Sequence, residues 1–431
     1  MADGYEDGAV TPPQLYRGIS TIMNFSMALT AVNCVSSLIT VFALGLTTGG
    51  PVVMVWGWIV VAVGFSLVGV SLAEICSAYP AAGGVYHWTA QLAPSKWAPA
   101  ASYSCGWANY LAGTGATATF ACSFASLVSA LTAAVRAPPG AFDLAPGAPG
   151  LAMPTPPLPP ADYTGFSPGA EVALAIATTA VWGLINALRV DQQGWVNNFA
   201  AGWQIASTAV IAAVVLGAAP ELSSPTFVFT EFYNGTGWAS VPYVVLIGLL
   251  YALFAFTGFD AGCQLAEETQ DPSRAAPLGM IGCCLCTAVL GLILTVSLLF
   301  GTVDVAALLN NPYVGVDAAN QPVVALFYYV GGRAGGPILV VLMVVNLFMA
   351  GVSTVTATSR MVFALARDDG LPGSSYLRWL HPTTGTPLLA VLLIIGVDAV
   401  ILLLTLSSTS AIYNVSSTTL ALGATAPSSP G

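Results

Sequence analysis

Phe254-Ala255-Phe256-Thr257-Gly258-Phe259-Asp260 interrupts an apolar run that extends over about residues 241–266. A helix that crosses a bilayer needs about 20 mostly apolar residues and satisfies its own backbone hydrogen bonds. Here a glycine beside a threonine allows local unwinding, and an aspartate follows two residues later. A carboxylate at mid-membrane depth costs about 3 kcal/mol even on the lenient insertion scale, so Asp260 is expected to face protein, water or a ligand rather than lipid. The first apolar run, about 25–47, carries a similar fault in its middle, Asn33-Cys34-Val35-Ser36-Ser37. The two faulted runs are the first and the sixth. An inverted five-plus-five repeat places such a pair face to face at the membrane midplane. Unwound segments expose N–H groups where one half-helix starts, which suits a carboxylate. They expose carbonyls where the other ends, which suits an ammonium group or a cation. A zwitterion such as an amino acid uses both. Ser36 and Ser37 taken alone would better suit a tight helix crossing, whereas Thr257 and Gly258 next to Asp260 favour a site.

The rest of the chain agrees with a membrane setting. Of 431 residues, 56% are hydrophobic and only 6% are charged, against roughly 25% charged in a soluble domain. Apolar runs are expected at about 25–47, 52–78, 99–131, 168–188, 195–218, 241–266, 277–301, 336–365 and 387–406, with turn-rich connections such as Tyr79-Pro80-Ala81-Ala82-Gly83-Gly84 between them. The expected organisation is an N-terminal tail over 1–24 and a first five-helix repeat over 25–218 with a Pro-rich external loop at 136–167. An incomplete second repeat follows over 241–409, then an aberrant polar tail at 410–431. A tenth run starting near Ser410 is too short and too polar to cross, so the fold is expected to be truncated after about nine spans. No soluble domain is expected, because the connections are too short or too low in complexity to bury a core.

Orientation follows from the basic residues. With the N-terminus in the cytoplasm, Arg17, Lys96, Arg189, Arg274, Arg360, Arg367 and Arg378 fall inside, and Arg136 and Arg333 fall outside. The sequon Asn234-Gly235-Thr236 then also lies outside. A net charge of −10, with no basic patch, argues against nucleic acid as a partner. The N-terminus lacks the basic region and apolar stretch of a secretory signal. Eight cysteines lie inside apolar runs, without metal-ligand spacing to either histidine, and read as small apolar filler, so no metal or cofactor is expected.

Several separated motifs carry a family resemblance. Asn24-Phe25-Ser26, Gly45-Leu46-Thr47-Thr48-Gly49-Gly50-Pro51 and Trp56-Gly57-Trp58 look like the first two spans of amino-acid permeases. Ala73-Glu74-Ile75-Cys76-Ser77-Ala78-Tyr79-Pro80-Ala81-Ala82-Gly83-Gly84-Val85-Tyr86 resembles the end of span 2 in one branch of the amino acid–polyamine–organocation superfamily, the amino-acid/choline transporters. GABA permeases and bidirectional amino-acid transporters belong to that branch. Phe256 to Asp260 with Glu267-Glu268-Thr269 matches its span 6, and Ser359 to Asp368 with Leu371-Pro372 matches the end of its span 8. The resemblance runs from about Arg17 to about Leu406. It implies an all-α polytopic membrane protein of the LeuT type, with broken first and sixth helices lining a substrate site. Ser36, Ser37, Phe256, Thr257, Gly258, Phe259 and Asp260 fall on those breaks, Phe256 and Phe259 as lid or wall. Ser37 stands where the family favours glycine. Asn109 and Asn346 are expected to make packing hydrogen bonds.

Charges collect near one set of span ends. Glu74, Glu267 and Arg360 are candidates for an inner gate of ion pairs, with snorkelling interfacial charge as the plainer reading. A coupling sodium ion would need span 1 carbonyls and span 8 hydroxyls, and Ser353 and Thr354 supply the latter. A coupling proton would need a buried titratable group such as Asp260. The expected function is transport of amino acids or related amines by alternating access. The alternatives are a choline or polyamine permease, or a truncated remnant that does not transport. A membrane enzyme is disfavoured, because no catalytic cluster is present, and an ion channel because no pore-lining charge ring or repeated filter loop appears.

Overall fold

A computed structural model describes residues 17–137, 141–142, 165–309 and 321–407. Most of the N-terminal tail, most of the Pro-rich loop and the whole of the 410–431 tail lie outside the described residues. Among the described residues, eight helices are long and apolar enough to cross a membrane: span 1 (Thr21–Thr40), span 2 (Gly50–Ala78), span 3 (Ala98–Arg136), span 4 (Pro168–Asn186), span 5 (Val190–Ala218), span 6 (Val241–Gln264), span 7 (Pro272–Gly301) and span 8 (Pro322–Arg367). A shorter apolar helix, Leu388–Leu404, is called span 9 here. The chain is an all-α polytopic membrane protein.

Span 2 shows how the sequence divides its faces. Met54, Trp58 and Ala62 point inward and are buried, while Val60, Val63, Leu67 and Val70 are exposed. A row of exposed branched aliphatics on a helix with no charge before Glu74 can only face lipid. The interior is filled from several spans at once, with Trp58, Trp182, Tyr251, Phe256 and Phe327 all fully buried.

Span 2 packs chiefly on span 7 and span 3 chiefly on span 8, each pair five places apart in the chain, whereas span 1 packs on spans 5, 7 and 8 as well as 6, and span 4 on spans 3, 8 and 9. Span 5 packs against spans 1, 7 and 8. Two short backbone ties join the first and sixth spans. Thr48 and Gly49 pair antiparallel with Asn234 and Tyr233, just beyond one end. At the other end Ile19 bridges to Thr269, with Ile19 N–H donating to the Glu268 carbonyl at 3.0 Å and Gln270 N–H to the Ile19 carbonyl at 2.8 Å.

Some boundaries differ from the sequence expectation. Span 1 begins at Thr21 and stops at Thr40, and Phe42–Thr47 forms a separate short helix after a turn at Val41. The stretch Pro322–Arg367 is two helices joined at Gly332, whose φ of 60° and ψ of −163° are not helical, and Gly336 folds back against Tyr328, so the expected start near 336 falls at the second helix and the helix before it is not among the expected runs. The cluster Gly331-Gly332-Arg333-Ala334-Gly335-Gly336 makes the turn between them, Gly332 supplying the positive φ.

Candidate functional site

Both expected breaks are present. Span 1 is two half-helices, Thr21–Val32 and Cys34–Thr40, joined at Asn33, whose φ of 31° and ψ of 75° are left-handed. Asparagine tolerates that conformation better than most residues and can cap the next turn. Asn33 does so: its Oδ1 accepts from the Ser36 N–H at 3.1 Å and the Ser36 hydroxyl at 3.0 Å. Its Nδ2 donates to the Asn346 carbonyl of span 8 at 3.0 Å, fixing the break against a second helix.

Span 6 consists of Val241–Gly248 and Leu250–Phe256, then an unwound stretch, then the short turn Ala261–Gln264. Thr257 is extended (φ −65°, ψ 133°), and Gly258 has a φ of 91°, which only glycine adopts without strain. The Thr257 hydroxyl donates back to the Leu253 carbonyl at 3.2 Å. Asp260 is half-buried, and its Oδ2 accepts from the Gln264 side chain at 3.1 Å, with Asn109 of span 3 also beside the carboxylate. The aspartate thus faces protein and not lipid, as the insertion cost requires.

The two breaks meet. A Cβ built on Gly258 would lie 3.9 Å from the carbonyl carbon and oxygen of Ala31, at the end of the first half-helix. Ala31, Ala261 and Ala357 form a small apolar cluster around this point. Among the described residues the Ala31 carbonyl accepts no hydrogen bond from outside its own helix, and the N–H groups of Gly258 and Phe259 donate none. An open acceptor at the end of a half-helix and open donors on the unwound chain therefore lie close together. That arrangement can take an ammonium on one side and a carboxylate on the other.

Other expected site residues have different surroundings. Ser36 and Ser37 are both buried, and their hydroxyls are spent on the break itself, Ser37 donating to the Val32 carbonyl at 2.9 Å. Phe256 is fully buried between Trp58 and Phe65 of span 2, each ring at 5.4 Å, and so wedges span 6 against span 2. Phe259 is only half-buried and meets Phe65 edge-on at 5.7 Å. The Ser353 hydroxyl reaches span 1, donating to the Met27 carbonyl at 2.9 Å, while Thr354 turns back on its own helix to the Ala350 carbonyl at 2.9 Å. Asn346 packs as expected, its Nδ2 donating to the Ser207 hydroxyl at 2.8 Å.

The charged cluster resolves into two layers. Arg360 is fully buried and makes two parallel bonds to Glu268, Nε to Oε2 at 3.0 Å and Nη2 to Oε1 at 3.3 Å. Its Nη1 donates to the Ser359 hydroxyl at 3.0 Å. Burial pushes the Glu268 carboxyl above its ordinary range, and the Arg360 guanidinium pulls it back. Further out, Glu267 pairs with Arg367 at 2.9 Å and accepts from the Ala82 N–H at 2.9 Å. Tyr86 donates to Asp368 at 2.9 Å; burial and that carboxylate together raise the phenol well above its usual range. Glu74 takes no part. It is exposed and makes no ion pair among the described residues, because it sits on the outer face of span 2. The acid opposite Arg360 is Glu268, which sequence reading did not separate from its neighbour Glu267.

A family model described as "Amino acid permease" matches residues 19–427. The chain belongs to the amino acid permease family. The match includes both breaks, the ion pairs and every described span. Among curated permeases, the chain is 30% identical over 369 residues to the amino-acid permease BAT1 homolog of Oryza sativa subsp. japonica, covering 84% of this chain and 66% of that protein. It is 28% identical over 370 residues to amino-acid permease BAT1 of Arabidopsis thaliana, covering 84% and 67%. It is 27% identical over 383 residues to the GABA-specific permease of Saccharomyces cerevisiae, covering 88% and 62%. The chain thus matches about two thirds of the length of these permeases.

Proposed function

We propose that this permease-family chain carries an amino acid or a related amine across the bilayer by alternating access, with the substrate held where spans 1 and 6 break. The observation that carries this reading is the meeting of the open Ala31 carbonyl with the open N–H groups of Gly258 and Phe259. Half-helix ends present such groups with their dipoles aligned toward them. The packing of span 2 on span 7 and of span 3 on span 8, each five places on in the chain, supports two intertwined inverted repeats.

The N-terminus is placed in the cytoplasm by the excess of Lys and Arg on that side. Contacts support the grouping: Arg333 donates to the Ala137 carbonyl, which joins the two positions assigned outside. On the opposite side, Glu268–Arg360 and Glu267–Arg367 link the cytoplasmic ends of spans 6 and 8 and act as the inner gate.

A second reading, choline or polyamine as substrate, draws on Asp260, a carboxylate beside the break that would favour a cation without a carboxyl group. Radiolabelled uptake into proteoliposomes separates the two. The panel holds the common amino acids, GABA, choline and putrescine. Saturable uptake of a zwitterion, lost in Gly258→Leu, supports the first reading. Uptake of choline or putrescine alone supports the second. Retained transport in Gly258→Leu overturns both, because a leucine at a φ of 91° cannot leave the unwound stretch as it is.

A further inference from the structure

Asp398 lies near the middle of span 9, in the run Leu388–Leu404, and is the only charged residue of that helix. It is fully buried. Neither carboxyl oxygen has a hydrogen-bond partner among the described residues. This is the only carboxyl group there with both oxygens buried and unpartnered. Other buried polar side chains of the bundle interior show what a satisfied group looks like here. Arg360 has Glu268, and Thr356 has Asn186 of span 4 at 2.7 Å.

Span 9 packs against spans 3, 4 and 8. From span 3, Tyr110 and Cys122 sit close enough to sense the Asp398 charge. Span 4 contains one ionisable residue, Glu171 in its first turn. Span 8 has none between Arg333 and Arg360. No cation therefore faces Asp398 from any packed element. An ionised carboxylate with neither a counter-charge nor a donor is among the costliest groups to bury, and protonation removes most of that cost.

The position also connects to the candidate site. Asn109 stands beside Asp260, and the next residue of span 3, Tyr110, lies within electrostatic reach of Asp398. Span 3 thus runs between the break in span 6 and the buried acid of span 9. We propose that Asp398 is a proton-binding site of the carrier, loaded in the conformation described here and emptied to water when spans 3, 8 and 9 part during the transport cycle. The step is a simple ionisation: the Asp398 O–H releases its proton to water on one side of the membrane and regains one from the other. This rests on the transport reading above and names the coupling ion, a proton, and the residue that holds it.

Two measurements on the full chain test it. The first needs no transport. Infrared absorption of reconstituted protein should show a protonated-carboxyl band at neutral pH that is missing in Asp398→Asn and retained in Asp398→Glu. Identical spectra for wild type and Asp398→Asn across the pH range overturn the site. The second reads coupling, with a pH-sensitive dye inside the vesicles and each solute of the uptake panel outside. Wild type should accumulate its solute against a gradient when a pH difference is imposed, and acidify the lumen as it does so. Asp398→Asn should keep counterflow exchange but lose that accumulation and proton flux, and Asp398→Glu should restore both with a shifted pH profile. Pumping by Asp398→Asn at the wild-type level, or wild-type accumulation driven by sodium and indifferent to pH, overturns the emptying step. If no panel solute enters even by exchange, the transport reading fails, and the infrared band still decides whether Asp398 holds a proton.

Discussion

Replacing Glu268 by glutamine removes one charge and leaves the shape almost unchanged. In the native arrangement Arg360 is bound through two parallel hydrogen bonds at 3.0 and 3.3 Å, with side-chain exposures of 0% for Arg360 and 1% for Glu268. Breaking a buried pair by removing one partner strands the other charge, at about 3–5 kcal/mol. Glu268→Gln should fall near the lower end, because the amide oxygen still accepts from the guanidinium. Arg360→Met should fall near the upper end, since it abandons a carboxylate. The double variant Glu268→Met/Arg360→Met replaces the pair with apolar groups of similar volume and should return to within about 1 kcal/mol of wild type, because a buried pair and its apolar replacement are often nearly equal. The assay is reversible unfolding of purified protein in mixed micelles titrated with SDS, with the four proteins closing a double-mutant cycle. Single variants within about 1 kcal/mol of wild type would refute the reasoning, by showing that water reaches the pair and screens it as it does a surface salt bridge.

Two further outcomes follow from the same structure. Asn33→Ala loses the cap to Ser36 and the bond to the Asn346 carbonyl, and leaves a β-carbon at a φ of 31° without the side-chain bonds that hold it there. It should cost roughly 2 kcal/mol in the same SDS titration, with Asn33→Gly losing less because its backbone is unstrained. Gly351→Ala would place its methyl 2.1 Å from the fully buried indole of Trp182, so thermal denaturation should show a loss of about 1–3 kcal/mol.

The breaks were legible because they violate a strict rule. A membrane helix has little tolerance for a glycine, a hydroxyl and an acid in succession, so Thr257, Gly258 and Asp260 marked the place. Asn33 was visible for the same reason, but its work was not. Sequence offered Ser36 and Ser37 as ligands, and only geometry shows their hydroxyls absorbed by Asn33 and Val32. The ion pairs were half legible. Glu267 and Glu268 are adjacent, and the tight turn Ala266–Glu268 sends one toward Arg367 and the other inward to Arg360, a choice no pattern of residue types encodes. Asp398 escaped notice altogether, although the insertion cost that drew attention to Asp260 applies to it equally. Its neighbours were uniformly apolar, and no turn residue drew the eye to it.

The two backbone ties outside the membrane core have a mechanical meaning. Thr48 and Asn234 stitch the later half of the first span to the earlier half of the sixth, and Ile19 and Thr269 stitch the remaining two halves together. The four rods are therefore two pairs of blades, riveted where Asn33 and Gly258 let the chain turn. Scissors move most at the tips and least at the rivet, so a passenger lodged at the rivet stays almost still while each pair of blades swings past it.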